Sequence, residues 1–397
     1  MDFLAEANKL LPEMIALRRK LHQHPELAFA EYQTANLAAE MLNTCGYEIV
    51  EGIGGTGVVG YLDGAKANPL IMLRFDMDAL PIQEATRAKY ASRNPGVMHA
   101  CGHDAHTAIG IYTARLLASC RDEIDASVLL VFQPAEEIGQ GAVAMLRDRL
   151  FERWKPDYAL GVHVWNGLPS GSFVIRTGEL MAGSGMFELT ITGKGGHAAL
   201  PHLAIDPIAS AARVVCALQS IPAQMIDPLE PAVLGVTTFH AGSISNVIPE
   251  QAVLQGTIRF FSPHMWELLT GRLARVVHET ASAAGCEAAI KLLENTPPLV
   301  NDGFVAEAAR RALLRLFPDA NLLSDYRTMG SEDMAYFLEQ VPGAFILVGS
   351  GGTAEHPGYP HHHPRFDIDE NVLASASALL LETVSELASH ETPEKDR

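Results

Sequence analysis

The chain has 397 residues, 48% of them hydrophobic, and this length exceeds the size at which a single core usually stops growing, so we expect two domains. Its 29 Lys and Arg against 47 Asp and Glu give a formal net charge of -18, which would repel nucleic acid and excludes it as an expected partner. Five cysteines are too few for a disulfide scaffold and no run of about 18 apolar residues occurs, so we expect a soluble cytoplasmic protein without a membrane partner.

The first part of the chain predicts an α/β domain. Apolar residues recur at helical spacing over 9–22 and over 31–45, and Gly46 follows as a helix stop. Four short apolar runs then predict buried strands, with helical segments near 103–120 and 139–149 between the later ones. These runs are "VVGYL" (58–62), "PLIMLRF" (69–75), "SVLLVF" (127–132) and "YALGVHV" (158–164). The order indicates a mixed, mainly parallel sheet flanked by helices.

From about residue 184 the order of elements changes to β-α-β-β-α-β, which is typical of a ferredoxin-like unit. The predicted elements are a strand over 185–192, a helix over 206–218, strands over 232–240 and 251–261, a helix over 264–283 and a strand over 288–293. The first pattern then resumes, with helices near 303–316 and 331–339, a strand over 344–349, a helix from about 369 to 389 and a frayed tail over 390–397. We therefore predict one domain formed by 1–182 and 296–397, interrupted by an inserted domain of 183–295.

Polar residues that could bind a metal follow the predicted strands, where ligands of open α/β sheets collect. Each has an ordinary alternative: the aspartates could cap a turn, the glutamates could begin a helix, and Cys101 could be a buried small hydrophobe. Thiolate, imidazole and carboxylate together favour a metal such as zinc. The candidates are Asp76 and Asp78, Cys101 and His103 in "MHACGHDAHTA", Glu136 and Glu137, His163, and the histidines His356, His361, His362 and His363.

The adjacent glutamates Glu136 and Glu137 are expected to have different roles. Neighbouring side chains at the end of a strand point in opposite directions, so the two carboxylates would not act together. One can bind a metal while the other takes a proton from water and passes it to a leaving amine.

Several motifs in order along the chain resemble one family of metal-dependent amidohydrolases. They are "MHACGHDAHTA", "FQPAEEIGQGA", "GVHVWNGLPSG", "GKGGHAALPH", "SNVIPE", "MGSEDMAYF" and "HHPRFDIDE". The family contains hippurate hydrolases, bacterial N-acyl-amino-acid hydrolases and plant auxin-conjugate hydrolases, and it belongs to the aminoacylase and carboxypeptidase group of dinuclear metallopeptidases. The resemblance implies a catalytic α/β domain with an inserted lid or dimerisation domain. It also implies a homodimer or higher homo-oligomer that hydrolyses N-acyl amino acids to a carboxylic acid and an amino acid, as linear amidohydrolases do (EC 3.5.1.-).

The same resemblance implies two divalent metals per subunit, which could be Zn, Mn, Co or Ni. The implied ligands are Cys101, which would bridge the two metals, with His103, Glu137, His163 and His362. The last ligand is a histidine two residues before the proline of H-x-P-x-F, which selects His362 here; His361 and His363 remain alternatives. Asp76 is expected to lie outside the ligand set, and His99 and His106 to be ordinary polar neighbours, with Asp104 at most a supporting group.

Further residues receive catalytic or substrate-binding roles from the resemblance. Glu136 resembles the general acid and base, and Asp78 resembles the acid that orients a metal ligand. His197 resembles the histidine that stabilises the oxyanion, usually in the active site of the partner subunit. Asn246 and Arg259 resemble substrate-binding groups, and a guanidinium suits the carboxylate of an amino acid, although Arg259 could also be a solvated strand residue.

The sequence leaves alternative functions open. Cys101 could be the nucleophile of a cysteine hydrolase, but that would leave the glutamate pair and the distant histidines without a role. The chain could also be a metallocarboxypeptidase or dipeptidase on short peptides, or a metal-dependent binding protein without turnover. An enzyme with a lid would need hinges, for which the glycines and prolines near 178–185 and 293–300 are the candidates.

Overall fold

The computed structural model describes residues 1–352 and 358–389, which divide into two units. Unit 1 contains Met1–Leu180, Val300–Tyr326 and the chain from Asp333 onward, and unit 2 contains Met181–Leu299 and Arg327–Glu332. Residues 327–332, which the sequence prediction places in the first domain, therefore group with unit 2. The predicted candidate His356 and the predicted tail 390–397 lie outside the described residues.

Helices and strands alternate along both units. The described helices are α1 Phe3–Gln23, α2 Tyr32–Thr44, α3 His103–Ser119, α4 Gly141–Arg147, α5 Leu150–Arg153, α6 Pro207–Leu218, α7 Pro263–Ala283, α8 Gly303–Leu316, α9 Ala335–Leu338 and α10 Val372–Ser389. The described strands are β1 Glu48–Ile53, β2 Gly57–Leu62, β3 Leu70–Asp76, β4 Ser127–Gln133, β5 Tyr158–Pro169, β6 Ser172–Val174, β7 Gly178–Met181, β8 Gly183–Thr192, β9 Gly196–His197, β10 Val233–Ala241, β11 Val247–Ile248, β12 Gln251–Phe260, β13 Glu287–Thr296, β14 Leu299–Asn301, β15 Asn321–Leu322 and β16 Gly343–Gly351.

Unit 1 is built on an eight-stranded sheet in the order β1-β2-β4-β3-β5-β16-β6-β15. The four central strands β4, β3, β5 and β16 run parallel to one another. Antiparallel joins occur at β1 with β2, β2 with β4, and β16 with β6. The predicted mixed, mainly parallel sheet is confirmed, and its parallel centre brings the carboxyl ends of four strands to one edge.

The strands and helices of unit 1 differ from the sequence prediction where local signals are weak. The edge strand β1 is missed because its sequence "EIVEGI" carries two acids and buries little surface. Helix α1 begins at Phe3 rather than residue 9, since the Asp2 side chain accepts a hydrogen bond from the Ala5 N–H, 3.0 Å away, and caps the helix. The segments predicted as hinges lie largely in strands, because β7 and β14 pair with each other.

Unit 2 contains a four-stranded antiparallel sheet in the order β10-β12-β8-β13. With α6 and α7, the elements follow β-α-β-β-α-β, as predicted for a ferredoxin-like unit inserted into the first one. Buried residues alternate along β8, where Phe187, Leu189 and Ile191 face the core. The two helices pack on this face and on each other.

Helix α10 is the one helix in the described part of the chain with the length and hydropathy of a membrane span. However, 72% of the hydrophobic stretch is buried inside unit 1, where α10 packs against α1, α3 and α8. Its apolar character is therefore that of a core helix, since a helix that is hydrophobic on all sides is typical of a protein interior as well as of a membrane.

Replacing Gly102 by alanine is predicted to destabilise the protein. Gly102 has φ 93° and an added Cβ would lie 2.5 Å from Val164 Cγ2, so alanine meets both backbone strain and a steric clash. We expect a loss of about 2 kcal/mol in the free energy of unfolding, measured by urea denaturation. The matched control is Gly96→Ala, which has φ 79° but open space around the Cβ and should cost only about 1 kcal/mol. Equal losses in the two variants would contradict the packing described here.

Candidate metal centre

Asp78 connects two of the segments that carry candidate ligands. Its carboxylate accepts hydrogen bonds from the backbone N–H groups of Glu136 and Glu137, each at 3.0 Å. The Nδ1 atom of His103 lies 2.9 Å from the Asp78 carbonyl oxygen and 3.3 Å from its carboxylate. Asp78 is buried, so these bonds are shielded from water. One residue thus fixes both the imidazole of His103 and the turn that carries the two glutamates.

His103 and His163 present their Nε2 atoms towards the same region. Nδ1 of His103 is held by Asp78, and Nδ1 of His163 donates to the carbonyl oxygen of Val164 at 2.7 Å. In its neutral form, a histidine whose Nδ1–H is bonded in this way keeps Nε2 as its acceptor atom. The Cys101 sulfur lies 3.6 Å from Nε2 of His163, and donor atoms of Cys101, His103 and His163 all lie within 4.8 Å of one another.

A second group of donors forms around Glu137. Its Oε2 lies 3.3 Å from Nε2 of His362, and donor atoms of Cys101, Glu137 and His362 also lie within 4.8 Å of one another. The backbone N–H of His362 donates to the carbonyl oxygen of Ala100 at 2.8 Å, which ties the two loops together. Cys101 belongs to both groups, so its sulfur could bridge two cations.

The three consecutive histidines have different environments. His361 is held by its Nε2, 3.0 Å from the Val164 carbonyl oxygen, and its ring packs on Trp165. His363 stacks on Tyr359, and its Nδ1 accepts the N–H of Arg365. Only His362 of the three reaches the candidate ligands, in a backbone conformation with φ 64°. The geometry therefore favours His362, as the sequence spacing does.

Asp76 and His106 lie beside the site but are occupied by other partners. The Asp76 carboxylate pairs with Arg74 Nη1 at 2.6 Å and with His106 Nδ1 at 2.6 Å. Nε2 of His106 accepts the backbone N–H of Val164 at 2.9 Å, which leaves this ring no nitrogen for a metal. Although Asp76, His103 and His106 lie close enough together to form a further group, two of them are already committed. His99 is also buried, and burial lowers its pKa to about 4.

The residues at this site suit divalent cations, both in the types of their donor atoms and because two of these atoms have no hydrogen-bond partner. In the described part of the chain, His103 Nε2 and Glu137 Oε1 are buried and have no hydrogen-bond partner. Buried polar atoms normally find partners, and these two point among donors of the types that bind zinc, manganese, cobalt or nickel. A cation at each group would satisfy both atoms.

The pKa values indicate that cations would displace protons from this site. Burial raises the pKa of the Cys101 thiol, and the nearby Glu137 carboxylate raises it further. Burial lowers the pKa of His103, but Asp76 and Asp78 outweigh it, and the pKa is raised well above its usual value. Burial and the neighbouring His106 and His361 lower the pKa of His163, which keeps its ring neutral. Metal binding to this thiol and to His103 is therefore expected to release protons.

Glu136 lies beside the donors with its side chain 10% exposed. Its Oε2 is 3.8 Å from Nε2 of His103, and donor atoms of His103, Glu136 and Glu137 lie within 4.8 Å of one another. The positive φ of Ala135, 54°, turns the chain sharply after β4. Both carboxylates thus reach the site, and Glu137 is in contact with His362.

Two predicted residues of unit 2 lie together at its small two-stranded sheet of β9 and β11. His197 ends β9, which pairs with β11, and the backbone N–H of Ala198 donates to the carbonyl oxygen of Asn246 at 3.0 Å. The His197 side chain is exposed, and its Nδ1 accepts the backbone N–H of Ala199 at 3.1 Å. The neutral ring therefore carries its proton on Nε2, where it can donate a hydrogen bond.

Arg259 lies on the four-stranded sheet of unit 2, near the end of β12 that is remote from β11. Arg259 is eight residues along β12 from Gln251, which corresponds to about 27 Å in an extended strand. Gln251 is the end of β12 from which the chain leads back to β11. Its Nη1 donates to the Ile258 carbonyl oxygen at 3.0 Å and to the Thr257 hydroxyl, and burial lowers its pKa. One copy of unit 2 therefore does not bring Arg259 together with His197 and Asn246.

Two buried arginines near the site were not identified from the sequence. Arg74 pairs with Asp76 and, through Nη2, with Asp333 at 3.0 Å, which also accepts the N–H of Ala142 at the start of α4. Arg18 is fully buried and pairs with Asp104 at 2.8 Å. The sequence does carry one indication that Arg74 is buried and paired: it is a charged residue within the apolar strand "PLIMLRF", where an arginine must find a buried partner.

The chain matches known hydrolases over most of its length. The model of peptidase family M20/M25/M40 matches residues 72–386. An IAA-amino acid hydrolase of Arabidopsis thaliana is 38% identical, with 99% of this chain and 91% of the relative covered. An N-acetyl-L-cysteine deacetylase of Bacillus subtilis is 38% identical, covering 94% and 88%, and a thermostable carboxypeptidase of Saccharolobus solfataricus is 37% identical, covering 92% and 94%. A solved dinuclear metal-binding peptidase of Bacillus subtilis has a TM-score of 0.83 at 36% identity, covering 95% and 98%.

Replacing His362 by alanine is predicted to remove one of two bound cations, whereas replacing His363 should not. His362 is the residue of the triplet that contacts Glu137, and His363 stacks on Tyr359. We expect the His362→Ala protein, loaded with zinc and dialysed, to retain about one equivalent by elemental analysis while His363→Ala retains about two. A His362→Ala protein with full metal content, or a His363→Ala protein that loses a cation, would show that the ligand has been assigned to the wrong residue.

Proposed function

The chain belongs to peptidase family M20/M25/M40, and on this premise we propose that it hydrolyses the amide bond of N-acyl amino acids, releasing a carboxylic acid and an amino acid. The observation that carries the proposal is the position of Glu136, a carboxylate 3.8 Å from Nε2 of His103 and beside two groups of metal donors that share Cys101. Relatives named for deacetylation of N-acetyl-L-cysteine and for hydrolysis of IAA-amino acids support this substrate class.

Five residues would hold the metals in this proposal. Cys101, His103 and His163 would bind one cation, and Cys101, Glu137 and His362 the other. Bound there, two divalent cations would polarise the scissile carbonyl and make an attacking water more acidic. Asp78 would keep Nδ1 of His103 occupied, so that Nε2 faces the cation, and would hold the turn of the two glutamates in place.

Glu136 would move the proton that the reaction requires. Its carboxylate would take a proton from the attacking water and deliver it to the departing nitrogen, which leaves as an amine. Two observations suit Glu136 to this proton transfer, since its backbone N–H is fixed by Asp78 and its side chain keeps some access to solvent. The neighbouring Glu137, directed to His362, would serve as a ligand.

His197 would stabilise the oxyanion of the tetrahedral intermediate. Its Nδ1 accepts the Ala199 N–H, so the neutral ring carries a donor at Nε2. A hydrogen bond to the negative oxygen from this position would lower the barrier for attack. Asn246, whose backbone is bonded to the same strand pair, would bind substrate beside it.

Arg259 would bind the free carboxylate of the substrate, and this role implies a homodimer. A guanidinium can form two parallel hydrogen bonds with a carboxylate. Yet Arg259 lies about 27 Å along β12 from Gln251, the end from which the chain leads back to β11 and its pairing with His197, and this is farther than a small N-acyl amino acid extends. If both contact one substrate molecule, they come from two copies of the chain, with unit 2 acting as the lid and dimerisation domain.

The cysteine-hydrolase alternative is less consistent with the site. A nucleophilic cysteine needs a lowered pKa, whereas burial and Glu137 raise the pKa of the Cys101 thiol. The sulfur also lies among metal-type donors on both sides. Metal binding is the better account of this thiol.

Peptide hydrolysis is the second candidate function. A relative named as a carboxypeptidase is 37% identical over 92% of this chain. Carboxypeptidase and N-acyl-amino-acid hydrolase activities share a substrate with an amide bond next to a free carboxylate, so Arg259 would suit both. We propose a cytoplasmic enzyme in either case, since all five cysteines, each within the described residues, are free thiols.

Replacing Glu136 by glutamine is predicted to abolish turnover while leaving the metals bound. Glutamine preserves the shape of the side chain but cannot accept the proton, so we expect kcat to fall at least 100-fold, within the range of about 10²–10⁴ for loss of a general base. Hydrolysis of acetyl, benzoyl and indolyl-acetyl amino acids and of dipeptides, by enzyme loaded with each metal in turn, measures this and identifies the preferred substrate. Wild-type rates from Glu136→Gln enzyme would exclude the role, and hydrolysis of dipeptides alone would favour the second candidate.

A mixed dimer is predicted to be active when one subunit carries Glu136→Gln and the other His197→Ala. If His197 serves the active site of the other subunit, one of the two sites in this dimer has both residues intact, and about half of wild-type activity is expected. The two subunits carry different affinity tags, so that only the mixed dimer is assayed. The control dimer of Glu136→Gln with Cys101→Ala should be inactive, because each site then lacks a residue of its own chain. An inactive Glu136→Gln/His197→Ala dimer would refute the sharing of sites.

A further inference from the structure

We propose that Arg18 is a positioning residue that clamps together the two loops carrying Cys101, His103 and His362, and so sets the separation of the two candidate cations. The proposal rests on the metal site proposed above. Arg18 lies in α1, more than 80 residues before the nearest candidate ligand in sequence, and its side chain is fully buried. Arg18 does not contact the five residues proposed as ligands. Its effect on metal binding would act through Asp104 and Asp367, which follow His103 and His362 in the chain.

One side of the clamp joins α1 to the beginning of α3. Arg18 Nε lies 2.8 Å from Oδ2 of Asp104, the residue directly after His103, and Asp104 is also fully buried. Nδ1 of His22, one helical turn after Arg18, lies 2.7 Å from the same Asp104 oxygen. The first turn of α3, which carries His103, is therefore anchored to α1 by a charged contact shielded from solvent.

The other side of the clamp joins α1 to the loop after His362. Arg18 Nη1 donates to Oδ1 of Asp367 at 3.1 Å and to Oε1 of Glu370 at 3.2 Å. Asp367 is five residues beyond His362, and its other oxygen accepts the Tyr90 hydroxyl at 2.6 Å. A single guanidinium thus contacts both loops: it is ion-paired with Asp104 and donates hydrogen bonds to Asp367 and Glu370, from the planar fork that arginine has and lysine lacks.

Stability alone is a poor explanation for this cluster. Burying an ion pair carries a large desolvation penalty, and apolar residues of similar volume often stabilise a core as well or better. A buried charged cluster can instead specify one geometry, because its donors and acceptors have few alternative partners. Here the geometry specified is the approach of two loops whose side chains would hold the two cations.

Arg19 supplies a matched control one residue away. It pairs with Glu370 through two nitrogens, with Nη2 2.5 Å from Oε2, and its guanidinium lies 4.8 Å from the Tyr90 ring centre. Its side chain is 47% exposed and reaches Glu370 without touching Asp104. Arg19 therefore shares the charge and one partner of Arg18 but connects only to one loop.

The test measures metal binding by folded protein, independently of catalysis. Wild type, Arg18→Met, Arg18→Lys, Asp367→Asn and Arg19→Met are stripped of metal, checked for folding by circular dichroism and titrated with Co²⁺. Calorimetry gives the two dissociation constants, and the visible absorption of the bound cobalt reports the geometry of its ligands. Methionine keeps an unbranched apolar stem like that of arginine but lacks the guanidinium. Asp367 is 38% exposed, so its variant should fold if Arg18→Met does not.

We expect Arg18→Met to raise the dissociation constant of the cation that His362 would bind by about 10-fold to 100-fold, as loss of groups that orient ligands does. The visible spectrum of the bound cobalt should change as well. Arg18→Lys should recover part of the affinity for this cation. Asp367→Asn should raise its dissociation constant by about threefold, and Arg19→Met should leave it within about twofold of the wild-type value. If Arg18→Met does not fold, Asp367→Asn decides the result.

Wild-type affinities and spectra in folded Arg18→Met, or in Asp367→Asn where that variant decides, would overturn the clamp while leaving the proposed metal site intact. An equal loss in Arg19→Met would also overturn it, because the effect would then be one of charge alone. A wild-type protein that binds no Co²⁺ would instead overturn the proposed function, and the clamp with it.

Discussion

The candidate site depends on the hydrogen bonds of one buried carboxylate, Asp78. It accepts the backbone N–H groups of Glu136 and Glu137, and it holds Nδ1 of His103. These bonds join the end of β4 to the beginning of α3, so the turn that carries two carboxylates and the imidazole that faces them are positioned together. Without that link, the two adjacent carboxylates would share no fixed orientation with His103. The division of roles between Glu136 and Glu137 therefore begins with a residue to which we assign no bond to metal or substrate.

The sheet explains why residues so far apart in sequence meet. Strands β4, β3, β5 and β16 are parallel neighbours, and the segments that leave their carboxyl ends carry the glutamates, Asp78 and His362. The sequence predicts this much, because short continuous apolar runs indicate buried parallel strands and polar residues directly follow them. The position of His163 could not be predicted in the same way. It lies within β5 rather than at its end, since the strand continues to Pro169 beyond the apolar run.

Other features of the site required the three-dimensional structure because they depend on contacts across the fold. The spacing of H-x-P-x-F selects His362, but only the packing of His361 on Trp165 and of His363 on Tyr359 gives its neighbours other roles. From the sequence, Arg18 resembles any basic residue of a surface helix. No neighbouring residue in the sequence indicates that it pairs with Asp104 and Asp367. The separation of Arg259 from His197 likewise follows from the strand register of unit 2, which no motif encodes.

The most direct test of the two-metal site is anomalous diffraction at the zinc edge from crystals of the zinc-loaded protein. We predict two peaks per chain, both within bonding distance of the Cys101 sulfur, one also bonded to His103 and His163 and the other to Glu137 and His362. Glu136 should remain outside both coordination shells. A single peak, or peaks away from Cys101, would contradict a two-metal site bridged by this thiolate.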